Sequence, residues 1–257
     1  MERPFDEFTI SKSIVDAYYR KLQQCLNSDV IIAGAGPSGL LAGSLLSEKG
    51  HRVVIIESKL APGGGVWGGG MGMNEIVLQA EAEKFLDYLG VSFIRCGKMM
   101  TVDSVELSAA LILKAVRNGA KILNMITAED LCILGGKVTG VVVNRTGIFG
   151  RFAVDPIMLT SRFVVDGTGH EAVCVNFLNK HGYRIDTPSG KFEGVGAMDV
   201  VAGEQFVVER TGEVFPNLYV MGMAVSETFN GPRMGPIFGG MLLSGEKVAG
   251  MLSKRLL

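Results

Sequence analysis

Asp29-Val30-Ile31-Ile32-Ala33-Gly34-Ala35-Gly36-Pro37-Ser38-Gly39 is the stretch that decides the fold of this chain. Its apolar run reads as a buried strand. The glycines at 34, 36 and 39 then lead into an Ala/Leu-rich helical pattern that continues through Glu48. Strand, GxGxxG turn and helix in that order form a dinucleotide-binding unit. The first glycine permits the tight turn, the second lets backbone approach a pyrophosphate, and the third lets helix pack on strand. The helix N-terminus adds free N–H groups and the positive end of its dipole. Gly50 closes the helix, and His51–Glu57 reads as the second strand. Glu57 then stands where an acidic side chain hydrogen-bonds an adenosine ribose.

Outward from that unit, 257 residues are enough for one large domain with a substantial core. The 25 basic and 26 acidic residues nearly cancel, which argues against a nucleic-acid surface and against an electrostatic membrane anchor. No signal-peptide pattern and no apolar run of spanning length is visible, so a cytoplasmic protein is expected. Cys25, Cys96, Cys132 and Cys174 show neither a CxxC pair nor the spacing of a disulfide framework. They read as small buried hydrophobes in a reducing compartment. The 35 glycines cluster beside apolar strands, as ligand-hugging loops do.

The remaining pattern extends the same architecture. Residues 11–26 read as an amphipathic helix whose Val15, Tyr19, Leu22 and Leu26 would dock on the body or on another subunit. Pro62 to Met71 places glycines on both sides of the only tryptophan, Trp67, and burial of that ring would order the loop over a ligand. A helix is expected over 76–89, a short strand at 91–94, and a helix over 105–118 capped by Asp103-Ser104. A strand at 121–126 and a hairpin spanning 130–144 follow. The strand 161–166 breaks into Gly167-Thr168-Gly169-His170, a strand end that would face the ligand crevice. Residues 182–204 read as mostly loop, 218–224 as the last strand and 239–256 as the closing helix. The whole is expected to be α/β: a Rossmann-like doubly wound sheet in a single dinucleotide-binding domain over 1–257, with a small antiparallel β layer at about 120–160.

Five motifs together resemble the thiamine thiazole synthase family: Gly34-Ala35-Gly36-Pro37-Ser38-Gly39, Gly63 to Met71 around Trp67, Val154-Asp155-Pro156, Asp166 to His170, and Arg233-Met234-Gly235-Pro236. The archaeal and bacterial, sulfide-dependent branch is the nearer one. The resemblance implies a flavoprotein-like fold that consumes NAD as a substrate rather than using it to carry hydride. It implies a transferase-type enzyme that converts NAD, glycine and a sulfur donor, with Fe(II), into an adenylated thiazole carboxylate and releases nicotinamide. Family members are commonly homo-octamers with shared active sites.

By the same resemblance, Asp155 and His170 would bind iron, the aspartate reaching across from a neighbouring protomer. One carboxylate and one imidazole with open positions suit a non-haem Fe(II). Arg233 can fork two N–H donors onto the carboxylate of glycine. Ser38, Glu57, Ser58, Gly65, Ala128 and Met223 are carried over to the dinucleotide site, with Arg233, Met234 and Gly235 closing on it. The chain departs from the family at Ala153, where eukaryotic members have a sulfur-donating cysteine and archaeal ones often histidine. Alanine cannot donate sulfur, so free sulfide becomes the expected donor. Cys174 is a poor stand-in thiol. An FAD-dependent oxidoreductase and a non-catalytic NAD-binding homologue stay open, although Met223 after Gly222 replaces the aspartate that flavoproteins use there. No lysine–carboxylate pair singles out sugar-phosphate isomerisation.

Overall fold

The computed structural model describes residues 4–257. Helix α1 (Glu7–Cys25) leads into β1 (Asn27–Ala33), α2 (Pro37–Glu48) and β2 (Val53–Glu57). Next come β3 (Glu75–Gln79), α3 (Glu83–Leu89), β4 (Ile94–Cys96), β5 (Met99–Asp103) and α4 (Ser104–Arg117). Then follow β6 (Lys121–Asn124), β7 (Ile126–Leu134), β8 (Lys137–Arg145), β9 (Ile157–Asp166) and α5 (Val173–Lys180). The chain ends with α6 (Val200–Arg210), β10 (Gly212–Phe215), β11 (Leu218–Val220), α7 (Met223–Phe229) and α8 (Gly239–Leu256).

The main sheet runs β10-β11-β9-β1-β2-β6, with β11, β9, β1, β2 and β6 all parallel. Parallel strands buried on both faces need continuous apolar runs, and Val30 to Ala33 and Val53 to Ile56 supply them. Alternate residues serve opposite faces. Val30, Ile32 and Ile55 join one core with Leu40, Leu41 and Leu46 of α2, Leu107 and Leu111 of α4, and Leu242 and Val248 of α8. Ile31, Val54 and Ile56 join the other, with Val175 and Leu178 of α5 and Val141 and Val143 of β8. Each fully buried leucine of α2 contributes roughly 1.5–3 kcal/mol. This is the doubly wound sheet that the turn at 34–39 required.

The small antiparallel sheet lies elsewhere than expected. It is built from 75–103, in the order β3-β5-β4. Residues 76–79 therefore form a strand rather than the start of a helix, and helix α3 begins only at Glu83. Ile76 and Leu78 are buried between more exposed neighbours, a two-residue period that pairing with β5 locks in. Likewise, 91–93 are irregular and the strand begins at Ile94. The hairpin β7–β8 forms, but β8 pairs antiparallel with β9 and so extends the main sheet. Met125, at φ 58, separates β6 from β7 within what reads as one strand.

Two further differences have local causes. Asp199 accepts the Ala202 N–H at 3.1 Å and caps α6, so a helix occupies the end of the expected 182–204 loop. Helix α1 starts at Glu7, capped by Asp6, and barely touches the body. Only Cys25 is buried, Leu22 is half-buried, and Val15 and Tyr19 are 65% and 59% exposed. No helix among the described residues is long and apolar enough to cross a membrane.

Candidate active site

The carboxyl ends of β1, β2, β9 and β11 open onto one cavity of about 680 Å³. Gly34, Gly36 and Ser38 line it from the turn after β1, and Glu57, Ser58 and Lys59 from the end of β2. The three motif glycines do different work. Gly34 sits at φ +100, and a Cβ there would lie 2.3 Å from the Gly167 carbonyl oxygen. A Cβ on Gly39 would lie 2.2 Å from the Gly34 oxygen, so Gly39 packs helix on turn and does not line the cavity. Gly36 has open space around it, the room a pyrophosphate needs.

Glu57, 7% exposed, holds this turn in place. Its Oε2 accepts the Ala35 N–H at 3.0 Å, and its Oε1 accepts the Lys59 N–H at 2.8 Å. Lone pairs remain on both oxygens to accept further hydroxyl or N–H donors.

The glycine–tryptophan loop forms two short 3-10 turns, Gly64–Gly68 and Gly70–Gly72, and Gly64, Gly65, Gly69 and Met71 face the cavity. Gly63 donates to the Ala35 oxygen at 2.7 Å, tying the loop to the dinucleotide turn. Its anchor is Val66, fully buried, and Trp67 is 37% exposed instead of sealed inside. The indole N–H donates to the Pro62 oxygen at 2.6 Å, and the ring lies against Gly63, where a side chain would collide with it.

Asp166, fully buried at the end of β9, positions His170. Its Oδ1 accepts from the Thr168 N–H and hydroxyl at 3.0 and 2.7 Å. Its Oδ2 accepts from the Cys174 and Val175 N–H groups at 2.8 and 3.1 Å. Those four donors fold 166–175 into a rigid turn that sets His170 on the cavity wall. Cys174 is sealed beneath it. Burial, then the charge of Asp166, pushes its thiol well above the ordinary range, so it stays protonated. Cys25 is also buried, whereas Cys96 is exposed on β4, a short edge strand with no side chain sealed, and Cys132 is half-exposed.

Arg233 lines the same cavity from a pinned backbone. Its N–H donates to the Ala197 oxygen and its carbonyl accepts from Asp199 N–H, both at 3.1 Å. Its guanidinium forms no ion pair among the described residues, leaving its donors for a ligand. Ala128, Met223, Met234 and Gly235 line the same cavity, as do Met198 and Met241, which the sequence reading did not single out. Asp155 does not. It lies exposed in the irregular segment before β9, outside the cavity wall. No three His, Cys, Asp or Glu side chains converge into a metal site among the described residues.

The sequence reading also passed over Glu227, on α7 and 7% exposed. Burial pushes its carboxyl above the ordinary range, while the charges of His170 and Arg233 pull it back. No motif spacing marks it; only the fold brings it behind the cavity.

A model of the Thi4 family matches residues 11–238. The thiamine thiazole synthase of Thermococcus kodakarensis is 47% identical over 245 residues, 95% of this chain and 96% of that protein. That of Thermotoga maritima is 46% identical over 255 residues, covering 96% and 97%. The crystal structure of Thermovibrio ammonificans THI4 superposes with a TM-score of 0.94 at 40% identity, covering 99% of both chains. A geranylgeranyl bacteriochlorophyll reductase-like protein from Thermoplasma acidophilum, 12% identical with a TM-score of 0.53, shares the fold alone.

Proposed function

The chain belongs to the Thi4 family, and on that premise we propose that it is a thiazole synthase of thiamine biosynthesis. It forms an adenylated thiazole carboxylate from NAD, glycine and sulfide with Fe(II), and releases nicotinamide. One observation carries the reading. A single cavity gathers the GxGxxG turn, Glu57, the glycine–tryptophan loop, His170 and an unpaired Arg233.

Each group has a task in that reaction. The turn N–H groups and the N-terminus of α2 cradle the NAD pyrophosphate beside Gly36 and Ser38. Glu57 and Ser58 hold the adenosine ribose, while Gly65, Ala128, Met223, Met234 and Gly235 wall the rest of the dinucleotide. Loss of nicotinamide leaves a ribose that opens and ketonises. Arg233 forks onto the glycine carboxylate, which leaves the amine free to attack that carbonyl and expel water. The loop around Trp67 shields the condensation from solvent.

The donors fit a ferrous ion shared between copies. His170 is the one imidazole on the cavity wall, and Asp155, exposed and outside its own cavity, is free to reach a neighbour's. Bound there, the ion supplies an open Lewis-acidic centre for sulfide. Ala153 has no sulfur to give, so the sulfur is external. The uncovered α1 face, with Phe8, Ile14, Val15 and Tyr19 exposed, supports association between copies, for which the homo-octamer of the family is the proposed form. Met223 after Gly222 speaks against a flavin enzyme. Replacing His170 with Ala should abolish product while NAD still binds; unaltered turnover in that variant would refute the iron assignment.

A further inference from the structure

Glu227 is a buried carboxylate without a partner. It lies on α7, 7% exposed, and makes neither a hydrogen bond nor an ion pair among the described residues. Its oxygens are not among the sealed unpartnered polar atoms, so the little surface it keeps includes them. Taking an ionisable group from water without donors is unfavourable. Its surroundings supply the reason for its retention.

Helix α7 packs against the Gly169–Glu171 turn that carries His170. At its other end, Asn230 adopts the left-handed conformation at φ 54 and turns the chain toward Arg233. The charges acting on Glu227 are those of His170 and Arg233. One carboxylate, on a helix packed against the turn of His170, thus feels the charge of both groups to which the proposed reaction assigns ligands.

Resting on the iron and glycine assignments above, we infer that Glu227 is a positioning residue for this site. Its carboxylate supplies the negative charge that favours a divalent cation on the His170 imidazole and limits the grip of Arg233 on a substrate carboxylate. A negative charge near a histidine draws a divalent cation to it by Coulomb attraction alone, without a hydrogen bond between the two side chains. The two effects have opposite signs for the two ligands, which a merely structural side chain would not produce.

The test compares the full-length wild type with Glu227→Gln and Glu227→Asp. Co²⁺ binding is followed anaerobically by visible absorbance, and the glycine KM is measured in sulfide-dependent turnover. Glu227→Gln should weaken Co²⁺ binding roughly tenfold and lower the glycine KM roughly threefold, both through loss of one nearby charge. Glu227→Asp, which keeps the charge, should stay near wild type in both. Wild-type values for both in the Gln variant would overturn the inference, whatever happens to Tm. Equal loss of Co²⁺ affinity in the Asp and Gln variants would overturn it too, because size rather than charge would then matter. A wild type that binds neither Co²⁺ nor Fe²⁺ would instead overturn the iron reading, and this inference with it.

Discussion

The Glu57 carboxylate accepts the backbone N–H of Ala35 at 3.0 Å, joining the end of the second strand to the glycine turn after the first. The acid that marks a dinucleotide site in the sequence is therefore also a strut of the turn it serves. Truncation in Glu57→Ala leaves the Ala35 and Lys59 N–H groups without this acceptor. It should cost about 1–3 kcal/mol in denaturant unfolding and weaken NAD binding about tenfold, because the proposed ribose contact is lost with the turn. A folded variant that binds NAD like wild type would contradict both roles.

Gly34 and Gly36 should respond differently to the same methyl group. At Gly34 the added carbon meets the Gly167 oxygen at 2.3 Å and the backbone is at φ +100, so Gly34→Ala should fold poorly or not at all. At Gly36 nothing lies within 4 Å, so Gly36→Ala should keep its Tm and lose NAD affinity. Circular dichroism melts beside NAD titrations separate the two. A destabilised Gly36→Ala would show that the open space is not reserved for ligand.

Asp29 and Arg52 clamp the starts of the first two strands, with an ion pair at 3.1 Å and a backbone N–H donated to the carboxylate at 2.8 Å. Burial raises the Asp29 carboxyl, but the Arg52 hydrogen bonds and charge outweigh it, leaving the group below its ordinary 3.8. A depressed acid stabilises the fold above its unfolded value, and that contribution is lost as pH falls through the folded value. Asp29→Asn should therefore be less stable by roughly 0.5–1 kcal/mol at pH 7, a modest figure because Arg52 is largely exposed. The gap should close below about pH 4. A gap that persists in acid would mean packing, not charge, links the pair.

Cys174 should be dispensable for chemistry. Its thiol is sealed and held protonated beside Asp166, so turnover per folded molecule in Cys174→Ala should match wild type when sulfide is supplied. Loss of sulfide-dependent turnover in a folded variant would make the thiol a participant.

Residues whose environment is local were legible in the sequence. The glycine turn, its acid, the Asp103 cap of α4 and the closing helix depend on near neighbours, and they form as read. Ile76 and Leu78 suit a strand as well as a helix, and only pairing with Met100 and Val102, well along the chain, chooses between them. Burial of Trp67 is the expectation that would order the loop, but Val66 is the side chain sealed in and Trp67 stays 37% exposed. The site divides along the same line. Gly36, Glu57, His170 and Arg233 follow from motifs and meet in one cavity, whereas Asp155 remains apart and Glu227, outside the cavity lining, comes near them only through the packing of α7 on the turn after β9.

The most direct test of the whole account is mass spectrometry of the small molecules released after anaerobic incubation with NAD, glycine, Fe(II) and sulfide. An adenylated thiazole carboxylate and free nicotinamide are expected, with the thiazole absent when sulfide is omitted. NAD returned unchanged, or FAD released from the protein, would contradict it.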